Sequence, residues 1–531
     1  MKETAIDPNR NNDRRTVTNV QNYFKEYCNS TSIHGFRYFG ENRSTFEKVW
    51  WIVIFILCLS GCSFMIYKIY EKYETSPVIV TFATKETPIH QIPFPAVTIC
   101  PEIKFKKEKF NLTDVVKKKK EEQNITVSEE QIFQYASLLC KQSLQAFVNE
   151  TAGQTLGNDF FTTLDEIKPE FIKSVIYCKF LGQDYSEDCS ELLTPVFTDE
   201  GVCYSFNILD RSHIFNDLVY HYKDYHNVKE DTRSWNMEFG YAQDAKGDAY
   251  PKRALFSGAN NGLTLYMGVE NIDFDYMCNS IQGFKVVLHS PVRIPKLKQE
   301  YFRVPLNQEV VAAVHPIMIM TSPAVQGFNV EKRECYFPSE KKLKYFRSYS
   351  QQNCFLECLT NVTLNFCDCV NFYMPKENAT KICGKESSTC VKVAETILQL
   401  GEEYSKFYQP KSDNEFETCD CLPICTDLSY DVQTSQTNWD WKESFAMVPG
   451  MEHFNKEKVH LSSLTVYFRF NHFITSERQE LYGPTDFVAN FGGLLGLFTG
   501  FSILSLMEII YFLTLRICCN IRLYGQWAGV Q

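Results

Sequence analysis

Two carboxylates and an amide interrupt the last long apolar stretch of this 531-residue sequence, and their spacing gives them a common direction. The chain is uncharged from Phe487 to Met507; Asp486 precedes this run, Asn490 lies inside it, and Glu508 follows before apolar sequence resumes as far as Leu515. At about 100° per helical residue, Asp486, Asn490, Gly493, Leu497, Gly500, Leu504 and Glu508 all fall within about 40° of one line. A carboxylate such as Glu508, set between apolar segments, is costly in hydrocarbon unless it faces water or a partner. Acids, an amide and glycines gathered on one face suit the lining of an aqueous path, and the sign of the charge favours cations. The alternative is a shorter span with Glu508 at its edge, snorkelling to water. Gly492, Gly496 and Gly500 recur every four residues, which lets helices approach closely in a bilayer, although packed spans of many kinds share that pattern. One stripe encloses nothing, so several copies must meet about an axis, and a two-span subunit implies a cyclic oligomer.

The elements that must position this stripe are two membrane helices and a large body between them. Val49 to Tyr67 is nineteen residues without a charge, enough at 1.5 Å per residue to span roughly 30 Å of hydrocarbon. A signal peptide fits poorly, since 48 residues precede this stretch and no small-residue cleavage site follows it. Two spans put both termini on one side. Sixteen of the 21 cysteines lie between the spans, an even set that reads as disulfides in an oxidising compartment. The same segment carries five N-glycosylation sequons, at Asn111, Asn124, Asn149, Asn361 and Asn378. Sequons at Asn29 and Asn42, and near-equal basic residues on either side of the first span (Arg37, Arg43 and Lys48 against Lys68, Lys72 and Lys85), leave the orientation to the cysteines. The expected layout is therefore a cytosolic tail over 1–48, a span over 49–70, a Cys-rich extracellular domain over 71–482, a second span over 483–515 and a short cytosolic tail over 516–531.

Within the extracellular segment, Val459–Phe470, Gly283–His289 and Val310–Met320 read as strands, and Gln352–Leu364 and Cys390–Tyr404 as helices. The fold class expected is a disulfide-rich α+β domain, its β core continuous with two flanking transmembrane helices. The N-terminal tail reads as flexible until about Tyr23. The 42 Phe and 29 Tyr suit packing of a large core. A net charge of −10 argues against a nucleic-acid partner, and Lys117–Lys120, followed by Glu121 and Glu122, reads as a solvated helix face. Cys367-Asp-Cys369 and Cys419-Asp-Cys421-Leu-Pro-Ile-Cys425 have the spacing of thiolate zinc ligands, but outside the cell disulfides are favoured, so no metal is expected. No HExxH, no GxSxG and no other catalytic constellation occurs; His289 and His315 read as strand residues, and neither an enzyme nor a cofactor is expected. A two-pass scavenger or adhesion receptor shares the layout, but it needs no acid and glycine stripe within a span.

Six motifs in order carry a family resemblance: Ile33-His34-Gly35, Phe94-Pro-Ala-Val-Thr-Ile-Cys100, Gly201-Val-Cys-Tyr-Ser-Phe-Asn207, Tyr349-Ser350 leading to Cys354 and Cys358, Cys419-x-Cys421-Leu-Pro-x-Cys425, and Asn490-Phe-Gly-Gly-Leu-Leu-Gly-Leu-Phe-Thr-Gly-Phe-Ser502. The chain resembles the degenerin/epithelial sodium channel superfamily, and within it the insect pickpocket channels, from about residue 30 to 515. The resemblance implies homo- or heterotrimers with related subunits in the plasma membrane, and a palm, knuckle, finger, thumb and β-ball ectodomain. It also implies a pore that prefers Na⁺ and is blocked by amiloride.

By the same resemblance, Gly500, Phe501 and Ser502 form the selectivity tract, with Phe501 where most members carry a small residue. His34 and Gly35 match a gating motif, Ala489 a position that tolerates only small residues, and Asn490 a position where acid-sensing members carry Asp. The implied disulfides are Cys100–Cys203, Cys178–Cys189, Cys335–Cys425, Cys354–Cys421, Cys358–Cys419, Cys367–Cys390 and Cys369–Cys383. These leave Cys140 and Cys278 as the expected eighth pair. Peptide mapping under non-reducing conditions is expected to recover that pair joined, and finding either thiol free would refute it.

Overall fold

The computed structural model describes residues 8–528 apart from 76–77, 141–143, 145–146, 148–154, 229–234, 243–248, 408–418, 447–456 and 482. Two compact units emerge, Met1–Ile79 with Gln479–Gln531, and Val80–Arg478.

In the first unit the apolar run Val49–Tyr67 lies inside one helix, Thr45–Thr75. Its 31 residues exceed the expected 49–70 span because helix-forming residues flank the apolar centre on both sides. The second apolar stretch departs further from expectation. Instead of one span over 483–515 it forms three helices, Pro484–Thr499, Ile503–Leu513 and Leu515–Tyr524. Pro484 suits the first turn, where no N–H partner is needed. Gly500 ends the first helix at φ +68°. At the second interruption the Thr514 hydroxyl donates back to the Ile510 carbonyl (2.6 Å), a local bond that competes with the helical ladder. The helix after it runs to Tyr524, past the expected boundary at 515. The N-terminal tail is helical over Pro8–Ser30, not flexible to Tyr23. Tertiary contacts override its polar pattern: Tyr23 and Tyr27 meet Phe512 edge-on, and Arg516 pairs with Glu26 at 2.6 Å.

The second unit is built on two sheets. Val459–Phe468, rich in β-branched and aromatic residues, is buried along most of its length. It runs parallel to Gln308–Thr321 and antiparallel to Leu263–Glu270 within an eight-stranded sheet. Asp427–Asn438 pairs antiparallel along its whole length with Gln308–Ile319. The second sheet orders its five strands as Phe302–Val304, Phe284–His289, Ala96–Pro101, Gly201–Phe206 and Leu193–Thr198. Phe94, fully buried, ties the core together, since its ring meets those of Phe180, Phe206 and Phe468 at 5.3–6.0 Å.

Eight disulfides brace this unit. Cys100–Cys203, Cys140–Cys278 and Cys178–Cys189 join the sheets and their flanking helices and loops. The other five, Cys335–Cys425, Cys354–Cys421, Cys358–Cys419, Cys367–Cys390 and Cys369–Cys383, surround the helices Gln351–Cys367 and Ser388–Phe407. Cys354 and Cys358 stand one turn apart on the same helix face, so their bridges form successive rungs. In the chain-entropy account, each bridge contributes about 3 to 5 kcal/mol by constraining the unfolded chain.

A buried polar chain crosses the five-stranded sheet. The His289 Nδ1–H donates to the Ser290 carbonyl (3.0 Å), Nε2 accepts from the Thr98 hydroxyl (2.8 Å), and Thr98 meets Ser205 at 2.9 Å. Burial pushes the His289 pKa down to about 4, and the fully enclosed His226 down to about 3, with the neighbouring His221 adding to the shift. Both imidazoles are neutral in the folded chain, whereas the unfolded chain protonates them near pH 6.5. Their stabilisation is therefore complete above about pH 6.5 and is lost as the pH falls towards 4, at up to about 1.4 kcal/mol per pH unit for each group. Thermal melts of the full chain in detergent are expected to show a Tm that falls from pH 6.5 to 5, and a shallower fall in His226→Phe. A Tm flat across that window would overturn the assignment.

Candidate functional site

The helix Pro484–Thr499 divides its two faces between contact and exposure. Phe487 and Phe498 fall near 100° and 120° on the wheel that has Asp486 at zero. Phe487 lies against the Tyr73 ring (5.5 Å), and Phe498 lies so close to Gly61 that a Cβ there would stand 3.2 Å from it. This side packs against the helix Thr45–Thr75. The other side carries Asp486, Ala489, Asn490, Gly493 and Leu497, all exposed in the single chain, Leu497 at 79%. A Cβ on Gly492 or Gly493 would meet nothing within 4 Å. Asp486 also closes its own helix, accepting from the Gly483 N–H at 3.3 Å, where a negative charge complements the helix dipole.

The helix then stops at Gly500. The Gly500 N–H still reaches the Gly496 carbonyl (2.9 Å), and Phe501 N–H reaches Leu495 (3.3 Å). Ser502 is extended, at φ −128° and ψ 173°, and its hydroxyl accepts from Ser505 N–H (3.2 Å) to start the next helix. Glycine is required at 500 twice over. Its φ is left-handed, and an added Cβ would stand 2.7 Å from His34 Nδ1. The His34 N–H donates to the Thr499 carbonyl at 2.9 Å. Gly35, at φ +90°, turns the N-terminal segment away beyond this contact.

The same segment reaches Glu508. Its Oε2 accepts from Ser32 N–H (3.0 Å), Ser32 Oγ (3.2 Å) and Thr31 Oγ1 (3.3 Å), while Ser32 Oγ also meets Ser505 Oγ at 2.8 Å. Asp486, Asn490, Gly493 and Leu497 share one exposed side of Pro484–Thr499, and the stripe expected from the wheel does not continue through the break at Gly500. Leu504 is exposed, whereas Glu508 is half-buried and held by the N-terminal segment. Thr31, Ser32, Thr499 and Ser505 were not singled out by sequence; the only signal was a run of small hydroxyl residues before His34.

The modification sequons are spread over the second unit. Asn124 and Asn378 are exposed, and Asn378 Oδ1 accepts from Asn158 at 2.7 Å. Asn111 caps the helix Leu112–Lys120 by accepting from Asp114 N–H. Asn361 is half-buried within Gln351–Cys367. Asn149 lies outside the described residues. Cys367, Cys369, Cys419, Cys421 and Cys425 are all in disulfides, which leaves none of them as a thiolate for a metal.

A family model described as "Amiloride-sensitive sodium channel" matches residues 27–512. Among curated relatives, Pickpocket protein 28 of Drosophila melanogaster is 28% identical, covering 94% of this chain and 79% of its own length. Sodium channel protein Nach of Drosophila ananassae is 25% identical, covering 92% and 86%. The bile acid-sensitive ion channel of Mus musculus is 22% identical, covering 94% and 88%. The docking of the N-terminal segment on the broken helix is open to direct test. A Ser32→Cys/Ser505→Cys double variant is expected to form one additional disulfide on mild oxidation, read by peptide mapping, whereas Ser32→Cys paired with Leu497→Cys is not. Absence of the first bridge would refute the contact.

Proposed function

Because the chain belongs to the amiloride-sensitive sodium channel family, and so is a subunit of a cation channel and not an enzyme, we propose that three such subunits, identical or related, enclose a sodium-preferring, amiloride-sensitive pore in the plasma membrane. The observation that carries this reading is the second span: one face free along Pro484–Thr499, then a backbone that leaves the helix at Gly500. On this reading residues 1–48 and 516–531 are cytosolic and 49–70 and 483–515 span the bilayer. Residues 71–482 are extracellular, with glycans at their sequons.

Each named residue then has a task. Asp486 concentrates cations at the outer mouth, because three like carboxylates about an axis raise the local cation concentration. Asn490, Gly493 and Leu497 line the passage below it, and Leu504 lines it beyond the break. Ending a helix frees the carbonyls of its last turn, and three chains offer them, with the Ser502 hydroxyls, as oxygen rings to a partly dehydrated Na⁺ at Gly500, Phe501 and Ser502. His34 and Gly35 couple the cytosolic tail to this tract through the Thr499 carbonyl, and Glu508 anchors the same tail through Thr31 and Ser32. Ala489 stays small so that the closed helices can meet.

The test is voltage-clamp recording from cells expressing Ala489→Val. A standing inward current is expected, blocked by amiloride and reduced when K⁺ replaces external Na⁺. Adding Gly500→Ala is expected to abolish it with surface protein retained. A current indifferent to the exchange would overturn the sodium preference. No current from verified surface protein, alone or with a related subunit, would overturn the pore assignment.

A further inference from the structure

A cavity of about 540 Å³ opens within the Val80–Arg478 unit, between the end of the strand Leu193–Thr198, the 294–299 loop and the helices Gln351–Cys367 and Ser388–Phe407. The volume suits a small organic molecule. Phe197, Phe355, Leu359 and Leu398 give it apolar walls. Four charged side chains also line it, Asp199, Glu395, Lys296 and Lys298. None of the four takes part in a salt bridge among the described residues.

Two acceptors in this lining lack donors. Asp199 Oδ1 is closed to solvent and has no hydrogen-bond partner among the described residues. Asn353 Oδ1 is likewise closed and unpartnered, while its Nδ2 donates to the Ser348 carbonyl at 3.4 Å. Buried acceptors left unmatched are unfavourable, and a carboxylate oxygen more so than an amide. Both atoms call for the same thing, an N–H donor, and a charged donor forms the stronger bond. Burial also raises the Asp199 pKa, with the positive charge of Lys298 opposing it. Lys298 is exposed, and its ammonium stands 5.4 Å from the Tyr373 ring centroid, so its charge is already engaged at the rim.

We propose that this cavity binds a small organic ammonium with an aromatic or aliphatic body, its N–H groups directed to Asp199 Oδ1 and Asn353 Oδ1. The apolar walls take the body and the two acceptors take the head. The site belongs to a single subunit and makes no use of the membrane helices.

The test uses the full-length chain in detergent and follows thermal stability against phenethylamine, with 2-phenylethanol as the uncharged probe of the same shape. Phenethylamine is expected to raise the Tm saturably and 2-phenylethanol to leave it unchanged. Asp199→Asn is expected to weaken phenethylamine at least about tenfold, without lowering the Tm of the free chain, because it removes an unmatched charge. Leu398→Trp, which fills the cavity from another wall, is expected to abolish the shift. No saturable shift in the unaltered chain, an equal shift with 2-phenylethanol, or full retention in both variants would each overturn the proposal. None of these outcomes bears on the pore.

Discussion

Hydrocarbon offers a backbone no hydrogen bonds, so a chain that leaves its helix inside a membrane must find its partners within the protein or in a water-filled cavity. The second span does leave its helix, at Gly500–Ser502, and much of the surrounding detail answers that one constraint. Ser502 starts a new helix with its own hydroxyl, Gly500 supplies the left-handed turn, and His34 N–H takes the Thr499 carbonyl. Glu508, the one acid beyond the break, is met by Thr31 and Ser32. The N-terminal segment is thus part of the span's hydrogen-bonding, and its helix Pro8–Ser30 is held by the Tyr23, Tyr27 and Glu26 contacts to Phe512 and Arg516.

The other unit solves a different problem with other means. Its sheets meet around Phe94, whose ring touches three others drawn from separate strands. Its two long helices are braced by cross-links, with Cys354 and Cys358 bridged as rungs and Cys367 joined to Cys390 on the facing helix. Stiff helices against a stiff sheet can hold a cavity open that a softer core would fill.

Where an element's own residues decide its fate, the sequence was readable. Val49–Tyr67 is uncharged without a break, and Val459–Phe468 is rich in β-branched and aromatic residues; the first lies within one helix and the second forms a strand between two neighbours. At 3.6 residues per turn, Phe487 and Phe498 share the contact side of Pro484–Thr499, and Asp486, Asn490, Gly493 and Leu497 lie on an exposed side. What could not be read depends on distant partners. Asp427–Asn438 has the polar look of a loop, yet it is a strand because Gln308–Ile319 lies beside it along its whole length. The helix Pro8–Ser30 owes its order to Phe512 and Arg516, and the setting of Glu508 is fixed by residues more than four hundred positions away. The wheel failed past Gly500 because a single left-handed residue resets the phase of every side chain after it.

The contact between Ser32 and Glu508 spans 476 positions of sequence, which gives it a meaning in biosynthesis. At translation rates of roughly 5 to 20 residues per second, about half a minute to a minute and a half separates the synthesis of its two halves. For most of that interval the first span is already made, while the donors at Thr31 and Ser32 await Glu508. The contact closes only after Glu508 has emerged, so a nascent chain interrupted anywhere between the spans carries an unfinished membrane unit. The bond that completes the span is thereby also a record that everything between residues 32 and 508 has been translated.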